Sequence, residues 1–278
     1  MVHHLQFDPT LPSSEELPCS DDTPVNEDQN FLPNYLLFLL ELIWRDRQDW
    51  YFGADMAIYH TTGANPKAPV VPDGFLSLGV PRRKPGNQSR RSYVLWEEEG
   101  IVPVLVLEVV SWTPGGEYGE KLRLYERLGV LYYVIYNPEF WQRDRHQPFE
   151  VYKRIAGEYQ LQAGEPYWLP EVGLGLGRSR DRVGGIDREI LSWFDAEGRR
   201  YRSAAEQAEA AQAEAAQAQA QAQQAQAQAQ QAQAEAQAER QARRRAVRQL
   251  HDLGLSHAQI AAALGFTVAA IREQLSEL

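Results

Sequence analysis

The sequence is poor in cysteine, and none of its apolar runs is long enough to cross a bilayer. The single cysteine among 278 residues, Cys19, excludes an internal disulfide and a cysteine-based zinc site. The longest nearly apolar stretches, 35–43 and 101–110, are only about half as long as a transmembrane helix. The amino terminus is acidic and lacks the basic start of a signal peptide. We therefore expect a cytoplasmic protein that does not engage a membrane.

Aromatic residues are nearly missing from the C-terminal part of the chain. Every tryptophan lies at or before Trp193, and Phe266 is the one aromatic residue after Tyr201. The packed core therefore belongs to residues up to about 198. The net charge is −10, and the part after residue 200 contributes only −1 of it, from seven arginines against eight acidic residues. This acidic balance neither supports nor excludes a nucleic-acid partner.

Two kinds of binding site are also missing. The six histidines are scattered or terminal and form no metal array. The alternating glycines at 173–177 are not followed by a helix at the spacing that a phosphate-binding loop requires.

The residues between 26 and 198 alternate between helix and strand patterns. Apolar spacing predicts helices at 28–47 and 117–128, the second closed by Gly129. The expected strands are 51–59, 70–78, 93–97, 102–111, 130–136, 149–155 and 158–162. Because 102–111 and 130–136 are almost wholly apolar, we expect both to be buried on two faces. The pattern predicts an α/β domain with a mixed sheet flanked by helices, preceded by an irregular lead-in at 1–25.

A low-complexity segment at 199–246 consists largely of alanine and glutamine. Both residues favour helix over strand, so the segment predicts one long helix. Leucine is absent from heptad positions, and a strong coiled coil is not indicated. A solvated spacer is the simpler interpretation, and a homo-oligomer held through small alanine contacts is the alternative.

The last segment, 247–278, regains apolar periodicity and predicts two or three short helices. It resembles a helix-turn-helix, with Ser256 and Thr267 as N-caps and Gly265 in the turn. A small capping bundle or a dimerisation tip would explain the same residues.

Glu108 is the first residue that points to chemistry. It lies within an otherwise apolar run, Val104–Val110. Burying an unpaired carboxylate costs several kcal/mol, so Glu108 needs a cation, a metal or hydrogen-bond donors. The alternative is a structural residue that points outward at a strand end or meets one arginine.

Asp73 and Lys121 are ambiguous when each is taken alone. Asp73 follows Pro72 at the end of a short strand-like piece, where Pro-Asp-Gly is also ordinary turn chemistry. Lys121 shares a helical stripe with Glu117 and Tyr125, and a surface ion pair with Glu117 is its structural alternative. Together with Glu108 they supply what phosphodiester hydrolysis requires, which is two carboxylates for a hard cation and a positive donor beside them.

The chain resembles a widespread bacterial family described as restriction endonucleases, within the PD-(D/E)XK nuclease superfamily. The resemblance covers roughly residues 25–198 and rests on four motifs: Val71-Pro72-Asp73-Gly74-Phe75, Leu105–Ser111, Lys121–Tyr125 and Leu128–Ile135. It implies a restriction-endonuclease-like sheet. It also implies that Asp73, Glu108 and the Val109 carbonyl bind Mg²⁺ or Mn²⁺ and that Lys121 is the catalytic lysine.

The sequence departs from the commonest superfamily pattern in two places. Val110 occupies the position of the usual lysine, which Lys121 on the helix replaces, and Trp112 stands where the family has proline. The superfamily often adds an acid from the first helix, for which Glu27 and Glu41 are candidates, and Asp55 is another.

These observations predict a metal-dependent endonuclease that acts on DNA through Asp73, Glu108 and Lys121. The basic loop 82–91 either contacts phosphates or is a solvated loop. The alternative function is a catalytically inactive nuclease fold that binds nucleic acid or protein and carries an oligomerising tail.

Overall fold

A computed structural model describes residues 11–12, 27–62, 65, 67–112, 115–183 and 185–276. The chain forms two compact units, Met1–Gln207 and Ala208–Leu278. Within the described ranges, every helix is too short or too polar to cross a bilayer.

The first unit is built on a mixed six-stranded sheet with strand order β1-β3-β5-β6-β7-β8. Its strands are β1 (Trp50–Ala54), β3 (Gly74–Leu78), β5 (Leu105–Val109), β6 (Tyr132–Tyr136), β7 (Phe149–Ile155) and β8 (Glu158–Leu161). A short parallel pair, β2 (Ile58–Tyr59) and β4 (Tyr93–Val94), lies apart from it. β5 and β6 are parallel, whereas the other neighbours in the large sheet are antiparallel. The predicted α/β class with a mixed sheet is confirmed.

Successive side chains of β5 point to opposite faces of the sheet, as strand geometry requires. Leu105, Leu107 and Val109 join the core under helix α1 (Glu27–Ile43). Val106 and Val110 instead join the core under helix α2 (Leu122–Leu128). Glu108 lies two residues from both Val106 and Val110, so its side chain points to the same face and towards α2.

The connection from β5 to β6 crosses over through α2. It begins with a widened turn of π-helix, Glu117–Lys121, and ends at Gly129, whose φ of 92° is left-handed. The predicted helix at 117–128 and its terminal glycine are both confirmed. The hairpin around Ala156-Gly157, between β7 and β8, is confirmed as well.

The structure differs from the sequence prediction in the strands that precede β5. The expected strand 51–59 is broken between β1 and β2, because Asp55 adopts a positive φ of 46°. The expected strand 70–78 begins only at Gly74, so Asp73 precedes a strand and does not end one. The remaining short helices of this unit are a 3-10 turn, Pro85–Asn87, and α3 (Trp141–Asp144).

A second sheet was not predicted. It consists of β9 (Tyr167–Leu169), β10 (Leu174–Val183) and β11 (Ile186–Phe194), in the order β11-β10-β9. The glycines at 173–177 lead into β10, and a Cβ at Gly177 would lie 2.8 Å from the Cα of Pro166. Close approach of two backbones, not phosphate binding, explains that glycine. Trp193 of β11 is buried and donates from Nε1 to the Leu36 carbonyl oxygen at 3.0 Å, which ties this sheet to α1.

The second unit contains most of α4 (Ala204–Asp252), with α5 (His257–Leu264) and α6 (Val268–Ser276). At 1.5 Å per residue, the 49 residues of α4 span about 70 Å. From 207 to 242 its residues are almost all exposed, as the alanine and glutamine composition predicts.

Candidate active site

Asp73 and Glu108 meet because β3 and β5 are antiparallel. Gly74, the first residue of β3, pairs with Leu107, so Asp73 lies beside the C-terminal end of β5. Asp73 Oδ2 accepts a hydrogen bond of 2.5 Å from the backbone N–H of Val109. Two carboxylates that are 35 positions apart in the sequence are thereby fixed at one edge of the sheet.

Glu108 is buried, with 1% of its side chain exposed, and both of its carboxylate oxygens are bonded. Oε2 accepts from Lys121 Nζ at 2.9 Å, and Oε1 accepts from the Tyr125 hydroxyl at 2.7 Å. Glu108 is thus buried and paired with a lysine, which contradicts the alternative in which it points outward. Lys121 pairs with Glu108, and Glu117 instead accepts from the Gly115 N–H.

The widened turn sets the position of Lys121. Its backbone N–H bonds to the Gly116 carbonyl oxygen at 3.1 Å, five residues earlier, after a left-handed Gly116. Lys121 and Tyr125 are then one helical turn apart on the same face, which lets both side chains reach Glu108. π-helical turns occur frequently at functional sites.

Burial and mutual repulsion shape the charges at this edge. Burial, with a further contribution from the Glu108 carboxylate, raises the pKa of Asp73 to about 8. Burial also raises the pKa of Glu108, although Lys121 acts in the opposite direction. For Lys121, burial is outweighed by the Glu108 carboxylate, and its pKa is raised. Two carboxylates share one ammonium group, so a further cation would relieve the remaining repulsion.

The donor chemistry fits a hard divalent cation. Asp73, Glu108 and the Val109 carbonyl offer oxygen alone, which suits Mg²⁺ or Mn²⁺ with waters completing the coordination. In the part of the chain that the structure describes, no group of three or more histidine, cysteine, aspartate or glutamate side chains is gathered for a metal. The fit therefore depends on the carbonyl and water as well as on the two carboxylates.

The Val109 carbonyl already has a partner from α1. Gln29 Nε2 donates to it at 3.2 Å, across 80 positions of sequence, and Gln29 is buried. A carbonyl oxygen has two lone pairs, so one remains for a cation. Gln29 thus lies where the resemblance leads us to look for an acid from the first helix.

The sequence offered three further acidic residues as metal ligands: Glu27, Glu41 and Asp55. Glu41 pairs with Arg82 at 2.9 Å and does not contact the site. The side chain of Glu27 lies outside the described residues. Asp55 donates its backbone N–H to the Asp73 carbonyl oxygen at 3.1 Å, and its carboxylate adds to the rise in the Asp73 pKa. Burial raises the pKa of Asp55 itself. Asp55 therefore lies near Asp73, whereas Glu41 does not.

Sequence reasoning missed the roles of Tyr125 and Gln29. Tyr125 carried a detectable signal, because it shares the helical stripe of Lys121, four residues on. Gln29 carried none, because only the packing of α1 brings it to Val109.

The basic loop 82–91 is engaged with the rest of the first unit. Arg90 is buried and bonds Glu98 through two nitrogens, at 2.7 and 2.9 Å. Arg82 stacks on Trp50, with its guanidinium carbon 3.6 Å from the ring centre, and Lys84 pairs with Glu97. These pairings hold Arg82, Lys84 and Arg90 against the first unit, whereas Arg83 and Arg91 are exposed, and phosphate contact by this loop stays a prediction.

Comparisons with known proteins bear on the same region. A family model, Uma2, described as "Putative restriction endonuclease", matches residues 22–181. A solved structure titled as a putative nuclease belonging to DUF820 from Anabaena variabilis aligns with a TM-score of 0.37 and 10% identity. That alignment covers 54% of this chain and 74% of the other. No curated protein matches the chain significantly.

Proposed function

The chain belongs to the Uma2 family of restriction-endonuclease-like proteins, and on this basis we propose that it is a metal-dependent endonuclease that hydrolyses DNA. The observation that carries the proposal is the bonding of buried Glu108 to Lys121 and Tyr125, with Asp73 fixed beside it. A buried Glu108 carboxylate with a half-buried second carboxylate beside it costs stability, and a catalytic role accounts for that cost.

Asp73, Glu108 and the Val109 carbonyl would hold the cation. When bound, a divalent cation polarises the phosphodiester and lowers the pKa of a coordinated water. Families with restriction-endonuclease-like folds generally use such metals, which supports the assignment.

Lys121 would orient the attacking water and stabilise negative charge on the phosphoryl oxygens. Its raised pKa keeps the ammonium group charged at neutral pH, so it acts as a donor and not as a base. Of its three N–H bonds, one is directed at Glu108. During hydrolysis the water oxygen bonds to phosphorus, the bond to the leaving oxygen breaks, and the leaving oxygen gains a proton.

Tyr125 would be a positioning residue. Its hydroxyl fixes Glu108 Oε1, which limits rotation of the carboxylate and leaves Oε2 beside Lys121. It does not itself reach the reacting atoms in this proposal.

The test is cleavage of supercoiled plasmid with Mg²⁺ or Mn²⁺. We expect Asp73→Asn, Glu108→Gln and Lys121→Met each to lower the rate by about 100-fold or more, as losses of charge-stabilising groups do. Glu41→Gln and Lys153→Met are matched controls, because each removes a charge that is paired elsewhere, with Arg82 and Glu171. The controls should cut like the wild type, and EDTA should stop all cutting. Equal cutting by the wild type and the three site variants would contradict the proposal.

A second candidate function is an inactive nuclease fold that serves as a binding module. The acidic first unit and the arginine-rich end of α4 favour it. Calorimetry with Mg²⁺ or Mn²⁺ separates the two: metal binding that is lost in Asp73→Asn and Glu108→Gln supports the enzyme, and its absence in the wild type supports the binding module. Self-association through α4 is part of this second proposal, and sedimentation of the full chain would reveal it.

A further inference from the structure

The second unit ends in three helices that enclose their own apolar core. Val247 at the end of α4, Ile260 and Ala261 on α5, and Ile271 on α6 are buried together. Partly buried apolar residues complete the cluster: Leu250, Leu255, Leu264, Phe266 and Leu275. The core explains why apolar periodicity returns after the alanine and glutamine run.

The turn between α5 and α6 has the length and chemistry of a helix-turn-helix. It contains three residues, Gly265 to Thr267, and Gly265 adopts a left-handed φ of 70°. The Phe266 N–H bonds to the Ala261 carbonyl oxygen at 2.9 Å. Thr267 Oγ1 accepts from the Ala270 N–H at 3.3 Å, which caps α6. A reciprocal bond between Ser256 and Gln259 caps α5 in the same way.

The charge of this segment is opposite to that of the whole chain. Between residues 240 and 276 there are six arginines against Asp252 and Glu273, a surplus of four positive charges in a protein of net charge −10. Arg245 and Arg248 on α4 and Arg272 on α6 are exposed. A local surplus of exposed positive charge of this kind is typical of segments that contact nucleic acid.

The face of α6 also suits a groove. Its first turn contains no acidic residue and presents the exposed side chains of Val268 and Ala269. Small side chains allow a helix to approach base edges closely, and the first turn of the second helix makes the base contacts in helix-turn-helix proteins.

We propose that the last three helices bind double-stranded DNA, with α6 in the major groove and Arg248 and Arg272 on the phosphate backbone. This surface consists of residues of the second unit, whereas the candidate active site consists of residues of the first, and it gives the acidic protein a basic contact with DNA. It holds whether or not the first unit cleaves.

The test uses the full chain in EDTA, so that cleavage does not interfere. Anisotropy of a fluorescein-labelled, random-sequence 24-base-pair duplex is followed in KCl from about 50 to 200 mM, a range over which phosphate contacts change affinity strongly. Arg248→Ala with Arg272→Ala is compared with Arg180→Ala and Arg202→Ala, two exposed arginines of the first unit. The two double variants have the same net charge.

We expect the Arg248/Arg272 variant to bind about tenfold more weakly at low salt and to reduce the salt slope by about two. The control variant should keep the wild-type slope. Equal losses in both variants, or no wild-type binding, would overturn the proposal. Unchanged far-ultraviolet circular dichroism would show that the helices remain folded.

A second comparison tests whether α6 enters a groove. Ala269→Glu places a negative charge on the exposed first turn of α6, and Ala222→Glu places the same charge on exposed α4. We expect only Ala269→Glu to lose duplex binding. Single-stranded DNA of the same sequence should compete at least tenfold less well. Equal competition by the single strand, or equal loss in both variants, would overturn groove binding.

Discussion

Charged side chains lie in opposite environments at the edge of the sheet around Glu108, where they are buried or half-buried, and along the long run of α4, where they are exposed. At the sheet edge, Glu108 is buried and Asp73 is half-buried beside it, and the Glu108 carboxylate adds to the rise in the pKa of Asp73. Along α4, Glu239 and Arg243 form an ion pair of 2.7 Å that is exposed to solvent. The same residue types lower the folding stability in the first region and change it little in the second, because the local polarity differs.

The largest expected effect is on the stability of the metal-free protein. Lys121→Met leaves Glu108 buried without a cation, and we expect a loss of about 2–3 kcal/mol at pH 7, less than for a fully buried pair since Lys121 is partly exposed. Glu239→Gln, which breaks a solvent-exposed pair on α4, should change stability by less than about 0.5 kcal/mol. Urea unfolding in EDTA measures both.

Adding Glu108→Gln to Lys121→Met should recover much of that loss, since the buried charge is gone. A Lys121→Met variant no less stable than Glu239→Gln would show that the sheet edge is not a low-polarity site.

Asp73→Asn should stabilise the metal-free protein, and the gain should depend on pH. The folded-state pKa of Asp73 is about 8, above its ordinary 3.8. Between these values the unfolded chain releases the proton that the folded chain keeps, so the wild type loses stability as pH rises. We expect the gain to grow from about pH 4 to about pH 8, reaching ~1–3 kcal/mol.

Thermal unfolding in EDTA at pH 5, 7 and 8.5 measures this trend. Asp49→Asn is the control and should lower stability, because Arg47 lowers the pKa of the exposed Asp49 and so stabilises its charged form in the folded protein. A gain for Asp73→Asn that stays flat or shrinks over this range would contradict the raised pKa.

Tyr125→Phe should lower cleavage about tenfold, because a buried hydrogen bond to a charged group contributes about 1.5–3 kcal/mol. Rotation of Glu108 should weaken Mn²⁺ binding as well, a readout that general destabilisation would not reproduce in folded protein. Tyr159→Phe, which removes a hydroxyl bonded to the Val130 carbonyl oxygen at 3.0 Å, is the matched control. If both variants lowered cleavage and Mn²⁺ binding equally, Tyr125 would have no specific role in positioning Glu108.

The smallest expected effect is that of Ala222→Gly in α4. Glycine costs about 1 kcal/mol of local helix stability. Since every tryptophan lies at or before Trp193, tryptophan fluorescence reports only the first unit. We expect a small loss of ellipticity at 222 nm and no shift in the fluorescence transition. A shifted fluorescence transition would show that the stability of the first unit depends on α4.

Local patterns in the sequence predicted much of the fold. The apolar run around Glu108 predicted a buried strand, and Gly129 marked the end of the following helix. The sheet β9–β11 escaped prediction because β10 carries two glycines and three arginines where an apolar pattern would be expected. Gly177 is explained by its close contact with Pro166, and Gly175 lies against Phe194; both contacts are tertiary features.

The sequence by itself determined that Glu108 would be buried and that Lys121 would share a helical face with Tyr125, because both follow from periodicity over a few residues. Only the tertiary structure decided that Asp73 immediately precedes a strand, that its carboxylate lies beside Glu108, and that Gln29 reaches the Val109 carbonyl. Strand register and helix docking join residues that are 35 to 80 positions apart, and no local pattern encodes such distances.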